Sequence, residues 1–102
     1  MQVTITSRHD EVPEGLRVRA EAVVARIAKL AHRPTRAQVE FDSEHQRPTA
    51  ELRLHAARSA VYVARADADD HRTALDRAAA KLRHQLDKKP ASRRRAGGGK
   101  EE

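Results

Sequence analysis

The side chains of this chain that are able to ligate a metal or attack a carbonyl are few. They are six histidines (His9, His32, His45, His55, His71 and His84) and four serines (Ser7, Ser43, Ser59 and Ser92). No two histidines stand at the i, i+4 spacing of a helical metal pair, and no HExxH occurs. His9-Asp10-Glu11 is a weak metal candidate, because consecutive side chains rarely converge on one ion; a charged surface loop is the plainer reading. Asp67, Asp69 and Asp70 have the look of a magnesium cluster but lack the glycine and later glutamate of a calcium loop. Helix capping explains them better, since a short carboxylate accepts from first-turn N–H groups. The serines sit in no nucleophile motif, and there is no glycine-rich phosphate loop. With no cysteine, thiolate metal sites and disulfides are excluded, which fits a reducing compartment. No enzyme, metal or cofactor is expected.

The remaining chemistry is positive charge. Arg77, Lys81, His84 and Lys88 recur at the i, i+4, i+7, i+11 spacing of one helix face. They lie within Asp69–Lys89, which reads as one amphipathic helix whose opposite stripe is Leu75, Ala78, Ala79, Leu82 and Leu86. Asp69 or Asp70 caps its start; Lys88 and Lys89 face the negative end of the helix dipole, and Pro90 stops it. For this helix alone, the bland alternative is that the cations merely solvate a core helix. The distribution of charge over the chain weighs against that. The formal net charge is +6. His71–Lys89 holds six basic and two acidic residues, and Glu14–Arg33 holds five and two. The tail Pro90–Glu102 holds four and two, which leaves everything else at −3. Solubility would not require the signs to segregate by element, so the pattern points to a polyanionic partner. Aromatic residues are 2% of the chain, Phe41 and Tyr62 alone, and Phe41 is expected in the core. Single-strand readout by stacking needs several exposed rings. What is left is recognition of phosphates and duplex shape by Lys and Arg.

The elements that must position these cations follow from periodicity. Gln2–Ser7 alternates as a short strand. Pro13 suits a helix start, and Leu16, Ala20, Val23, Val24, Ile27, Leu30 and Ala31 form the apolar stripe of a helix that Pro34 ends, with Arg19, Arg26 and Lys29 on its flank and back. Arg36–Glu44 alternates with Ala37, Val39 and Phe41 inward. His45–Pro48 reads as a turn, with Pro48 denying the ladder a donor. Glu51–Ala57 is a third strand, Arg58-Ser59 a tight turn, and Ala60–Ala66 a fourth strand of ambiguous phase, Val61 and Val63 competing with Tyr62 and Ala64 for the core side. The order strand, helix, three strands, helix gives an α+β fold: a βαβββα two-layer sandwich, a four-stranded sheet with two helices on one face. The other face would show Gln38, Glu40, Asp42, Glu51, Arg53 and His55 to water. Residues 1–89 are expected to form the domain and 90–102 a disordered basic, glycine-rich tail. No signal peptide or membrane-length apolar run is seen, so a cytoplasmic location is expected.

Two stretches carry a family resemblance. ITSRHDEVPEGLRVRAEAVVARIAKL is similar to the opening strand, turn and "(V/I)-x-E-x-L-R" helix start of the short-form ribosome hibernation-promoting factors, or ribosome-associated translation inhibitors, and to their "K/R-h-x-K-L" helix end, where h is apolar. ADADDHRTALDRAAAKLRHQLDKKP resembles that family's acidic lead, "A-(I/L)-D" core, "K-L" and "Q-L-x-K". The match spans about Met1–Lys89. It implies a fold shaped like double-stranded-RNA-binding domains. It also implies docking on small-subunit rRNA in the mRNA and tRNA channel, with inhibition of translation in stationary phase or stress. By position, the implied rRNA contacts are Arg26 and Lys29 on the first helix and Arg77, Lys81, Arg83, His84, Lys88 and Lys89 on the second, of which His84 comes from the basic rail above.

The chain departs from the family pattern at three places. Arg72 stands where an aromatic residue is usual, four residues before Asp76. The turn between Leu54 and Tyr62 lacks the expected Gly or Asn. The second domain with which long forms join two ribosomes is not present, so a monomer is expected, with any ribosome dimerisation left to a separate small partner. Two other readings are a protein-interaction module of the sigma-factor-modulating type and a general double-stranded-RNA binder.

Overall fold

Val39 and Phe41 on one strand, and Leu52 and Leu54 on the next, are at most 2% exposed; the fold is built outward from these four side chains. The computed structural model describes residues 1–8 and 11–88. The elements are β1 (Gln2–Ser7), α1 (Glu14–Ala28), β2 (Arg36–Glu44), β3 (Arg47–His55), β4 (Val61–Asp67) and α2 (His71–Lys88), with a 3-10 turn at Ala57–Ser59. The sheet order is β1-β2-β3-β4; β1 pairs parallel with β2, and the other two pairs are antiparallel. One buried cluster joins Ala20, Val23, Val24 and Ile27 of α1 to Leu75, Ala78, Leu82 and Leu86 of α2, over the inward strand residues. Both helices therefore cover one face. The expected α+β, βαβββα two-layer sandwich is the observed fold.

Alternation explains the strands. In β2, Ala37, Val39 and Phe41 are buried while Gln38, Glu40 and Asp42 are half-buried on the outer face. In β3, Ala50, Leu52 and Leu54 are buried, and Glu51, Arg53 and His55 take the outer side. The phase of β4 is settled by its register. Leu52 pairs with Ala64 and Ala50 with Ala66, so Tyr62, Ala64 and Ala66 face the helices. Val61 and Val63 remain 48% and 37% exposed.

Three expectations about boundaries are corrected. Pro34 does not end the first helix: α1 stops at Ala28, and Leu30 N–H and Ala31 N–H donate to the carbonyls of Ile27 and Ala28 in tightened 3-10 turns. Leu30, counted in the apolar stripe, is thus turned out and 47% exposed. The turn after β2 is only His45-Gln46, both at positive φ (53° and 64°), and β3 starts at Arg47, not Glu51. Pro48 stands inside the ladder opposite Ser43, one pair beyond the closing pair Glu44–Arg47. Neighbouring antiparallel pairs alternate between bonded and non-bonded. The pair after a two-residue turn is therefore the non-bonded kind, and the missing N–H of Pro48 costs no bond to β2. The Arg58-Ser59 turn forms where expected, with both residues at positive φ (63° and 61°) despite lacking the usual Gly or Asn.

The strand directions give the molecule two distinct ends. At one end Gln2, Arg36, His55 and Val61 lie in one row across the sheet. At the other, Asp42, Thr49 and Asp67 do. Because α1 returns along β1 and α2 along β4, both helices point their C-termini at the first end.

Candidate nucleic-acid interface

Strand β4 is a sheet edge, and its outward carbonyls must find donors outside the ladder. Arg77 Nη1 donates to the Asp67 carbonyl at 3.1 Å, Lys81 Nζ to Arg65 at 2.9 Å and Gln85 Nε2 to Val63 at 2.7 Å. Four residues of helix advance about 6.0 Å. Two residues of strand advance roughly 6.6 Å. A helix antiparallel to an edge strand can therefore match every fourth side chain to every second carbonyl, and α2 does so three times. Arg77 and Lys81 start opposite the apolar stripe, as expected, but their side chains reach back to the sheet. They lie over the flank of β4, because an edge strand draws donors, and which strand is the edge is a property of the sheet. Each bond uses one donor of a guanidinium that has five, or of an ammonium that has three, so the charge stays available on the outer side. Both residues are exposed.

The other expected contacts are less engaged. Arg26, Lys29, Arg83 and His84 are exposed and make no ion pair with any described residue. Arg26 is in the last turn of α1 and Lys29 is its C-cap, where cations oppose the negative pole of the dipole. Lys88 is the last residue of α2, and Lys89 lies outside the described residues, as do His9, Asp10 and the tail Pro90–Glu102. Arg19 holds the two helices in register: its Nε and Nη2 donate to Asp76 Oδ1 of α2 at 3.2 and 3.1 Å. The expected contact set left out three exposed cations on loops and a strand end: Arg33, which entered only the charge total of Glu14–Arg33, and Arg36 and Arg58. The signal for them was local: neither 29–36 nor 55–61 contains an Asp or Glu.

The opposite end and the outer sheet face are acidic and internally paired. Arg47 bridges Asp67 (2.6 Å) and Asp69 (3.0 Å), and its side-chain hydrogen bond lowers the Asp67 pKa. Asp70 caps α2: its Oδ1 accepts from the Thr73 N–H at 2.7 Å, and that bond lowers its pKa. The three aspartates thus have structural partners, and the capping expectation resolves to Asp70. Glu40 and Glu51 face each other across β2 and β3, a repulsive pair. Arg8 reaches Glu40 and Asp42, and Arg53 reaches Glu51. Arg65 pairs with Glu44. No group of three or more His, Cys, Asp or Glu that could hold a metal occurs among the described residues. No described helix is long and apolar enough to cross a membrane. Beside Arg72, an exposed residue, the ring of His71 packs edge-on against Phe41, centroids 5.5 Å apart, and its Nε2 lies 2.8 Å from the Asp42 carbonyl. An aromatic contact is made here one position before the expected one.

No curated protein matches the sequence. Several solved structures are similar in fold, the following two among them. The N-terminal domain of Thermus thermophilus Protein Y has a TM-score of 0.72 and 20% identity, covering 84% of this chain and 96% of that one. A ribosomal subunit interface protein from Coxiella burnetii has a TM-score of 0.77 and 19% identity, covering 90% of this chain and 100% of that one. The family described as Sigma 54 modulation protein / S30EA ribosomal protein matches residues 3–94, nearly the whole chain, and together with the βαβββα fold this establishes that the chain belongs to that ribosome-associated family.

Proposed function

We propose that this protein is a non-enzymatic hibernation factor that docks on small-subunit rRNA in the mRNA and tRNA channel and inhibits translation in stationary phase or stress. The observation that carries the reading is the family match over residues 3–94. The charge arrangement supports it. Arg26, Lys29, Arg83 and His84 are exposed on the helices, and Arg77 and Lys81 are held at fixed spacing over β4. With Lys88 and Lys89 they form the rRNA-facing set. The outer sheet face beyond its Arg36–His55 end row, where Arg8, Arg53 and Arg65 are already matched by carboxylates, faces away. With so few exposed rings, binding rests on phosphates and shape, so it is salt-sensitive. The protein acts as a cytoplasmic monomer, needs no cofactor, and leaves any joining of ribosomes to a separate partner.

Co-sedimentation with ribosomes from starved cells, at moderate and high salt, tests this. Protein in the small-subunit fractions at moderate salt and released at high salt is expected. Protein at the gradient top at both salts refutes it and favours the sigma-factor-modulating reading, and equal affinity for any RNA duplex favours the general RNA binder.

A further inference from the structure

We propose that the end of the molecule formed by the α1–β2 linker and the β3–β4 turn is a second phosphodiester-binding site, built by Arg33, Arg36 and Arg58 and separate from the rail on α2. It deepens the rRNA reading above and rests on it for the identity of the RNA.

Three observations converge here. The first is backbone conformation. Arg33 and Arg58 sit at φ 52° and 63°, in the left-handed region that costs a side chain with a Cβ and suits glycine. The chain spends none of its glycines there: Gly15 lies in α1, and the other three lie in the tail. Non-glycine residues held in this region cluster at functional sites, where the surrounding structure maintains them. The second is the surrounding structure itself. Ala57 N–H donates to the His32 carbonyl at 3.1 Å and Thr35 N–H to the His55 carbonyl at 2.8 Å. These bonds fasten the two loops side by side, with Arg33 between the crossings and Arg58 next to Ala57. Arg36 Nη2 lies 3.3 Å from His55 Nε2; a guanidinium only donates, so the imidazole nitrogen accepts and steadies it.

The third is charge. Segments 29–36 and 55–61 hold Lys29, Arg33, Arg36 and Arg58 with no carboxylate, and Arg33 and Arg58 make no ion pair with a described residue. Elsewhere on the sheet Arg8, Arg47, Arg53 and Arg65 are each paired with Asp or Glu. Both helix C-termini also point their negative dipole ends this way, so exposed cations are electrostatically settled here even without a ligand. Three planar guanidinium forks, two on the fastened loops and one at the start of β2, suit the tetrahedral oxygens of successive phosphates. RNA is favoured over an acidic peptide because the site continues into Lys29 and the last turn of α1, part of the set assigned to rRNA.

The test uses Arg33→Gly with Arg58→Gly in the full chain. Glycine relieves the left-handed backbone, so the thermal midpoint should hold or rise while RNA affinity falls. Two lost phosphate contacts should lower the slope of log K against log salt by about 1.4–1.8, and affinity at physiological salt by about 10- to 30-fold. The control Arg53→Ala with Arg65→Ala removes the same charge from the outer face and should leave both unchanged. Small ribosomal subunits, a plain RNA duplex and poly-glutamate are the probes. A wild-type slope for the double glycine variant on subunits and duplex overturns the second site but leaves the ribosome reading standing. A slope loss on the duplex, without co-sedimentation of the wild type, keeps the site and removes the ribosome reading. Loss confined to poly-glutamate overturns the site as an RNA contact. A lowered thermal midpoint that tracks the binding loss in both variants overturns it as a structural effect.

Discussion

Removing the three edge donors of α2 one at a time separates their two roles. Arg77, Lys81 and Gln85 donate to the Asp67, Arg65 and Val63 carbonyls of β4, but only the first two carry charge. Each carbonyl, once released, faces water, so each loss should cost at the lower end of a typical hydrogen bond, about 0.5–1 kcal/mol. Gln85→Ala should therefore destabilise by about that amount and leave the salt slope of ribosome binding untouched. Arg77→Ala and Lys81→Ala should cost a similar amount of stability and each lower the slope by roughly 0.7–0.9. At physiological salt that is a loss of about four- to five-fold in affinity per residue. Urea titration reads the first effect, and filter binding or co-sedimentation across a salt series reads the second. The triple alanine variant also leaves a bare edge strand, and should self-associate more readily than the wild type. If Lys81→Ala binds with the wild-type slope while losing stability like Gln85→Ala, the rail is a structural device only, and the rRNA face must lie elsewhere.

Leu82, 2% exposed between α1 and the sheet, should cost roughly 2–5 kcal/mol on truncation to alanine, read as a lower urea midpoint. The Asp70 cap and the Asp67–Arg47 pair both have carboxyl pKa values below the ordinary 3.8, so their contribution to stability is complete above that value and is lost as pH falls through the depressed values. Asp70→Ala should flatten the acid limb of a thermal-midpoint-against-pH curve, and an unchanged acid limb would remove the cap from the account. Residues 1–89 should melt within a few degrees of the full chain, since Pro90–Glu102 has no large apolar side chain to bury; a large drop would show that the tail packs.

The sequence alone determined most of what depends on local period. Alternation in Arg36–Glu44 located β2 to the residue, and the 3.6-residue stripe of Leu75, Leu82 and Leu86 located α2 and its buried face. Charge counted along the chain showed the signs segregated by element, which points to a polyanionic partner, because net charge by segment needs no coordinates. The phase of β4 was not legible, since Val61-Tyr62-Val63-Ala64 is apolar on both sides; pairing with Leu52 and Ala50 decided it. The end of α1 was misplaced because the tightened turn after Ala28 leaves no residue signature, whereas Pro34 leaves an obvious one. The β2–β3 turn was misread because Pro48 looks like a breaker until the ladder shows its nitrogen at a non-bonded position. The clearest contribution of tertiary structure lies in the basic residues. A helical wheel gives the direction of Arg77 and Lys81 about one axis, but not that a sheet edge lies under that flank. It also cannot bring Arg33 and Arg58, 25 positions apart, to one end of the molecule, because that proximity is made by the parallel β1–β2 pairing and two backbone hydrogen bonds.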